Sequence, residues 1–484
     1  MTTTITPETC AHQRGHISDS RFYGNRYATA ASRRIFCDMC RNQRWLDIEA
    51  ALALEQAELG MIPHRAADLI AGAARIDLLD LDAVQAEIER TGHSLVGLLR
   101  PFREAVPEGA GQFIHYGATT QDIQDTGQSL EMRDVLDELT PVLSGIIARL
   151  AALAEQHATT VAVGRTHAQP ALPIGFGLKI ASWVDELLRH LDRIDAARER
   201  VLAAQLFGGA GTMAGFQQHG AKLLEGFARR LGLHAPAIGW HTARDRVVEY
   251  ATVLAMTSGT LGRVADEIRT LTRPEFGELR EAWRKGKVGS STMPHKRNPE
   301  GCEQVVVMAR LAAAGAGTAF LAMVGDHERD ARSLRLEWAC VPDVSHYTLA
   351  AAEILHGIVS GLTVDAGQAR SNVDRMAWRL VSERLMFAVA EQIGKENAHE
   401  LVYDVTQRVQ DSGEPLRDVL REVLHRRDVP GLSGARLDDL LDPSGYLGES
   451  AALTAGVVAR ARQRLGGVAG STGSNGSGGG DGEA

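Results

Sequence analysis

Aromatic residues are scarce, at 5% of 484 residues, which leaves little of the Phe, Tyr and Trp that strands favour. Alanine and leucine are abundant instead, and both favour helix. Cysteine is scarce too. Five residues at 10, 37, 40, 302 and 340, odd in number and scattered, argue against a disulfide framework. Cys37-Asp38-Met39-Cys40 is an isolated C-x-x-C. Cys10, His12 and His16 precede it, but Ile35, Phe36 and Met39 make the segment read as a helix face, so no metal is expected. No motif asks for an organic cofactor. No apolar run reaches the length of a membrane span. Met1 to Thr6 lack the charged and apolar regions of a signal peptide, so the expected compartment is the cytoplasm. The net charge of −9, with both signs interspersed, leaves no basic footprint for nucleic acid.

What is present is patterned for helix. Hydrophobic residues at 44% and charged ones at 23% are an ordinary globular balance, and the length suffices for about three domains. Residues 1–18 are polar and read as poorly ordered. Helical spacing over 33–59 ends at Gly60 and Pro63, and a second helix over 80–104 is interrupted at Thr91-Gly92-His93. Pro107 and Gly109-Ala110-Gly111 close a first domain, 19–112. A middle domain, 113–363, is long-helix territory: Val135, Leu139, Val142, Ile146 and Leu153 keep one phase past Pro141. Stretches 180–203, 243–271 and 305–323 read similarly. Apolar residues on more than one face of such helices suggest burial inside an oligomeric bundle. A third helical domain, 364–465, precedes a Gly/Ser-rich tail, 466–484, that cannot bury a core. The expected fold class is all-α.

Three polar segments interrupt this pattern. Gly289-Ser290-Ser291-Thr292-Met293-Pro294-His295-Lys296-Arg297-Asn298-Pro299 sets two serines, a lysine and an asparagine between a glycine and a proline. Its glycine and prolines block regular helix, and its composition suits a loop that closes over an anion with Lys296 as the fixed charge. In Gly117-Ala118-Thr119-Thr120-Gln121-Asp122, the threonines read as helix N-caps or, with the helix-start amides, as a carboxylate site. In Gly164-Arg165-Thr166-His167-Ala168-Gln169, a histidine able to move protons near neutral pH sits at what reads as a helix junction.

The loop resembles the signature of the fumarase/aspartase superfamily, and the resemblance extends over 20–465. It implies a three-domain helical fold and a homotetramer with active sites shared between subunits. The substrate it implies is a small dicarboxylate. Ser290 matches the catalytic base, with Lys296 and Asn298 stabilising the aci-carboxylate intermediate, while Ser291 and Met293 face the substrate. Spacing in the family favours Ser290 over Ser291 as the base. Thr119 and Thr120 match the carboxylate-binding pair. Thr166, His167 and Gln169 match a Thr-His-x-Gln motif whose histidine assists the leaving group. His93 falls near an Arg-His-Asp motif of adenylosuccinate lyases, and Glu328-Arg329-Asp330 matches a stretch that places Arg329 at the substrate.

Departures from those patterns narrow the substrate. Bacterial carboxymuconate cycloisomerases usually carry tryptophan where this chain has His167. Adenylosuccinate lyases hold the nucleotide phosphate with a serine and an arginine where this chain has Leu334 and Trp338, which cannot hold a dianion. The remaining expectation is β-elimination of a substituted succinate to fumarate, with carbon–nitrogen cleavage of nitrosuccinate to fumarate and nitrous acid as the specific reading. Adenylosuccinate lyase, 3-carboxy-cis,cis-muconate cycloisomerase and a non-catalytic, crystallin-like structural protein are the alternatives. A scaffold has no use for His167, Ser290, Lys296 and Asn298 together, which favours an enzyme.

Overall fold

The computed structural model describes residues 15–284, 286–429, 432 and 434–471. Cys10, His12 and most of both polar ends, 1–14 and 472–484, lie outside the described residues.

Helix dominates, and its starts and stops follow from local chemistry. α1 (Ala30–Phe36) begins at Thr29, whose hydroxyl accepts from the Ser32 amide while Ser32 Oγ accepts from the Thr29 amide. The helix expected over 33–59 is broken once. Cys37 is extended, with φ −69° and ψ 151°, and its sulfur caps α2 (Asp38–Glu58) by accepting from the Cys40 amide. Apolar spacing continues across a one-residue cap, so periodicity misses it. α3 (His64–Ala73) leads to α4 (Leu81–Thr91) and α5 (Ser94–Ala105), which flank the expected interruption. There Gly92 is left-handed at φ 65°, and His93 Nδ1 accepts from the Val96 amide to cap α5.

α6 (Thr120–Gln156) holds Pro141 inside it, as its unbroken phase implies. The next segment departs from expectation. Instead of a helix junction, β1 (Val161–Thr166) and β2 (Gln169–Gly175) form an antiparallel hairpin. α7 (Phe176–Val201), α8 (Gly220–Leu231) and α9 (Asp245–Leu271) follow. Then come β3 (Leu279–Arg280), α10 (Glu300–Leu321), α11 (Ala331–Ser360) and β4 (Thr363–Val364), with β3 and β4 paired. α12 (Ala366–Leu380), α13 (Ser382–Ile393), α14 (Lys395–Ser412), α15 (Leu416–Arg426), α16 (Gly434–Leu440) and α17 (Ser450–Ser471) complete the chain. α17 continues to Ser471, into the stretch read as tail. A helix already under way adds residues at little cost, so the first small residues of the tail join it.

No apolar run in α10 is free of charged residues over a membrane's width, but by length and composition alone this helix could cross one. Its 22 residues include a window of mean hydropathy 1.5. Packing accounts for part of that apolarity: Val305, Met308, Ala312, Ala316 and Ala319, spaced three or four apart, form a buried stripe, while Val307, Phe320 and Leu321 are exposed.

The chain packs as two compact units, each assembled from three stretches: 1–143, 190–263 and 304–354 in the first; 144–189, 264–303 and 355–484 in the second. The boundaries expected near 112 and 363 fall inside these stretches. In the first unit, Leu46, Ile48 and Leu52 of α2 are buried, as are Leu95 and Phe102 of α5. In the second, Val163 of β1 packs with Val373 and Leu380 of α12. There too Val389, Leu401, Val405, Val419 and Leu420 share a core across α13, α14 and α15.

One buried pair in the first unit carries a pH-dependent prediction. His115 Nδ1 donates to Glu49 Oε1 at 2.6 Å, and the Glu49 side chain is wholly buried. Burial pulls the His115 pKa down, but the charge of Glu49 and its hydrogen bond outweigh that and raise it overall. A raised folded-state pKa gives stability that is complete below the ordinary histidine value and is lost as pH rises through the folded value. His115→Ala, which strands Glu49, is therefore expected to cost on the order of 3 kcal/mol in urea unfolding at pH 5.5. The gap to wild type should narrow as pH rises through the folded histidine value. A pH-independent gap would refute the assignment.

Candidate active site

The first group of expected site residues gathers where α6 begins. Gly117 precedes it at φ 80°, and a Cβ there would meet the Phe216 ring at 2.7 Å, so only glycine fits this turn. Asp122, one turn into α6, is completely buried and accepts four hydrogen bonds. Its donors are the amides of Thr119 (3.0 Å), Phe207 (3.0 Å) and Gly208 (2.9 Å), and His241 Nε2 (3.0 Å). These bonds fix the Thr119–Thr120 backbone. The Thr119 hydroxyl accepts from the Arg329 guanidinium. Thr120 Oγ1 lies 3.5 Å from His93 Nε2. With His93 Nδ1 accepting from a backbone amide, the neutral ring carries its proton on Nε2, facing Thr120.

His93, Thr120 and Arg329 line a cavity of about 520 Å³, together with Gln121, Gln124, Leu334, Arg335 and Trp338. No aspartate or glutamate lines it. Its framework is a buried ion cluster that sequence reasoning missed. Arg244 donates to Asp125 Oδ1 (2.9 Å) and Oδ2 (3.0 Å) on α6, and to both carboxylate oxygens of Glu337 on α11. All three side chains are fully buried. The cluster therefore ties the helix that carries Thr120 to the helix that carries Leu334, Arg335 and Trp338.

The second group lies in the second unit. His167 and Ala168 form the two-residue turn of the β1–β2 hairpin, at φ 50° and 62°. Left-handed backbone costs an L-residue roughly 1–2 kcal/mol, and the hairpin accepts that cost to present an exposed His167 at its tip. Thr166 and Gln169 pair across the turn. Below the tip, Arg165 makes a two-pronged ion pair with buried Glu278, at 2.6 and 3.1 Å, and Asn372 Nδ2 donates to the same carboxylate at 2.8 Å. Arg165 is thus the anchor of the motif, a role its sequence does not announce.

The serine loop belongs to this unit as well. Its neck is crossed at Gly289, where a Cβ would sit 2.2 Å from the Lys296 carbonyl oxygen. Asn298 Nδ2 donates to the Gly289 carbonyl at 2.6 Å, so in this geometry Asn298 closes the loop. Ser290 Oγ accepts from the amides of Met293 (3.1 Å) and Thr292 (3.4 Å). Two amides on one hydroxyl oxygen are what an alkoxide needs for stabilisation. Ser291, the Met293 side chain and Lys296 are exposed, and Lys296 has no ion pair among the described residues. Within this unit, no hydrogen bond or ion pair among the described residues links the loop to the hairpin tip. Also among the described residues, no three His, Cys, Asp or Glu side chains gather as a metal site.

The family model described as Lyase matches residues 25–313, and the one described as Adenylosuccinate lyase C-terminus matches 379–457. The N-acetyl-S-(2-succino)cysteine lyase of Dickeya dadantii is 38% identical over 90% of this chain and 95% of its own. The chain belongs to the fumarase/aspartase superfamily. Within this superfamily it is also 37% identical to the 3-carboxy-cis,cis-muconate cycloisomerase of Pseudomonas aeruginosa, over 88% of this chain and 93% of that one. A fumarate lyase structure from Mesorhizobium sp. BNC1 superposes with TM-score 0.82 at 34% identity, covering 90% and 98% of the two chains. The protein is an enzyme of the superfamily's adenylosuccinate-lyase-like branch, with its helical fold.

Proposed function

We propose that the enzyme eliminates a thiol from a 2-thioether of succinate, breaking a carbon–sulfur bond and releasing fumarate. The observation that carries this reading is the cavity beside Thr120. It joins carboxylate-binding groups (Arg329, His93 and Thr120) to an apolar wall of Leu334 and Trp338. The likeness to N-acetyl-S-(2-succino)cysteine lyases supports it. The nitrosuccinate reading rested on the missing phosphate site, and a thioether meets that condition equally. A nitro group, small and polar, leaves the apolar wall unfilled. Carbon–sulfur cleavage is therefore preferred to the carbon–nitrogen cleavage expected from the sequence.

In this mechanism Thr119, Thr120 and Arg329 hold one carboxylate of the succinyl group. Ser290, as the alkoxide, takes the proton beside the other carboxylate. Lys296 stabilises the aci-carboxylate that forms, and Ser291, Met293 and Asn298 shape the closed loop around it. The carbon–sulfur bond then breaks, its electron pair stays on sulfur, and His167 supplies the proton that makes the thiol. A thiolate leaves readily, its conjugate acid having a pKa of about 8.5, so a histidine is acid enough. Thr166 and Gln169 hold the turn that presents His167. We further propose a homotetramer in which loop, hairpin and helix start from different copies complete each site.

Purified enzyme is expected to form fumarate, followed by ultraviolet absorbance, from N-acetyl-S-(2-succino)cysteine with one free thiol per fumarate. Nitrosuccinate, adenylosuccinate and 3-carboxy-cis,cis-muconate serve as comparators. Fumarate and nitrite appearing together from nitrosuccinate, with the thioether inert, would restore the nitro reading.

A further inference from the structure

The first turns of α11 turn one face to the cavity: Ala331, Leu334, Arg335 and Trp338, spaced three and four apart, all line it. Arg335 is the notable member, because the carboxylates of Asp326, Asp330 and Glu337 are engaged by other arginines. Arg332 binds Asp326 and Asp330. Arg244 binds Glu337. Arg335 itself makes no hydrogen bond or ion pair among the described residues, and no acid lines the cavity to receive it. Arg329 differs, since it donates to the Thr119 hydroxyl and the mechanism above assigns its remaining donors to a succinyl carboxylate. A solvent-exposed guanidinium, unpaired among the described residues and on the wall of an acid-free cavity, can receive a carboxylate through its planar fork of donors. The succinyl group brings two carboxylates, which the mechanism above already assigns. A third must come from the part of the substrate that departs.

We propose that Arg335 is a specificity residue that pairs with a carboxylate on the leaving thiol, while Leu334 and Trp338 pack the apolar body of that thiol. This rests on the thioether elimination proposed above. The substrate class it defines is a succinyl thioether of an acidic thiol, triply anionic, as opposed to one of a neutral thiol.

The test compares two substrates that differ only in that carboxylate: the S-succino thioether of N-acetylcysteine and that of N-acetylcysteamine. Wild type is expected to prefer the first by about 10- to 100-fold in kcat/KM, the discrimination of one charge-assisted contact. Arg335→Gln should remove most of that preference by raising KM for the acidic substrate, with a far smaller effect on the neutral one, and Arg335→Lys should restore part of it. Equal losses on both substrates would mean Arg335 supports the fold, and equal retention on both would make it a bystander; either overturns the proposal. Calorimetric binding of N-acetylcysteine and N-acetylcysteamine to wild type and Arg335→Gln separates the two layers of inference. Carboxylate-dependent binding lost in Arg335→Gln, without fumarate from either thioether, would sink the elimination reading and leave the acid receptor standing. No carboxylate dependence in binding or turnover overturns the receptor itself.

Discussion

Replacing Arg244 with leucine is expected to leave little folded protein at neutral pH. Among the described residues, Arg244 is the only cation that Asp125 and Glu337 contact, and all three side chains have no solvent exposure. Leucine removes the charge but not its two partners. Each buried carboxylate must then ionise in an apolar setting or take a proton, and stranding one such charge costs about 3–5 kcal/mol. With two stranded, the loss approaches the whole stability of an ordinary domain. The cluster already carries two acids for one cation. Burial, the largest influence on Glu337, pushes its pKa up, and Arg244 only partly reverses that. A raised carboxylate pKa means the unfolded chain releases this proton first, so stability falls as pH climbs from the ordinary glutamate range toward the folded value. Arg244→Leu should therefore be rescued in part by mild acid. It should be rescued further by Asp125→Asn and Glu337→Gln together, which leave amides where charges stood. Urea unfolding of the single and triple variants decides this. A single variant within about 1 kcal/mol of wild type would show that the cluster contributes little.

What was legible in the sequence was local. The serine loop announces itself because Gly289, the two serines, Lys296 and Asn298 lie within a few residues of each other, and the hydrogen bonds that shape it are local. Thr119 and Thr120 were legible in the same way, as was the break at Gly92. Partners far apart in sequence were not. Arg244 meets Asp125 across 119 residues and Glu337 across 93, and nothing in either neighbourhood marks the meeting. Arg335 was passed over for a different reason. Leu334 and Trp338, where nucleotide-binding relatives carry a serine and an arginine, are the visible departures, and the arginine between them matches no motif. The β1–β2 hairpin is hard to read from sequence, since Pro170 and Pro173 disfavour a strand, yet a two-stranded ribbon leaves an edge where proline is tolerated. Val161, Val163 and Ile174 were the opposing signal, and His167 owes its exposed position to that hairpin.

Ser290→Ala is expected to lower kcat by about 10²–10⁴-fold, the range of a positioned general base, while fold and assembly survive. The two halves of this prediction have separate causes. The structural half follows from what Ser290 Oγ does in the resting loop. It accepts two backbone amides, from Thr292 and Met293, in a segment whose neighbours are mostly exposed. Water can replace it there, so thermal unfolding should shift little. The catalytic half follows from the proposed mechanism, in which those same amides and Lys296 make an alkoxide tenable. Without the hydroxyl they stabilise nothing that can take a proton. Ser291→Ala is the informative control. Ser291 is exposed and makes no hydrogen bond among the described residues, so its loss should cost less than about tenfold, below the range of a general base. Lys296→Met should resemble Ser290→Ala in kcat, since it withdraws the charge that both the alkoxide and the aci-carboxylate use. A Ser290→Ala enzyme that keeps a tenth of wild-type kcat, beside a dead Ser291→Ala enzyme, would move the base one residue along the loop. Loss of assembly in Ser290→Ala would instead favour a scaffold over an enzyme.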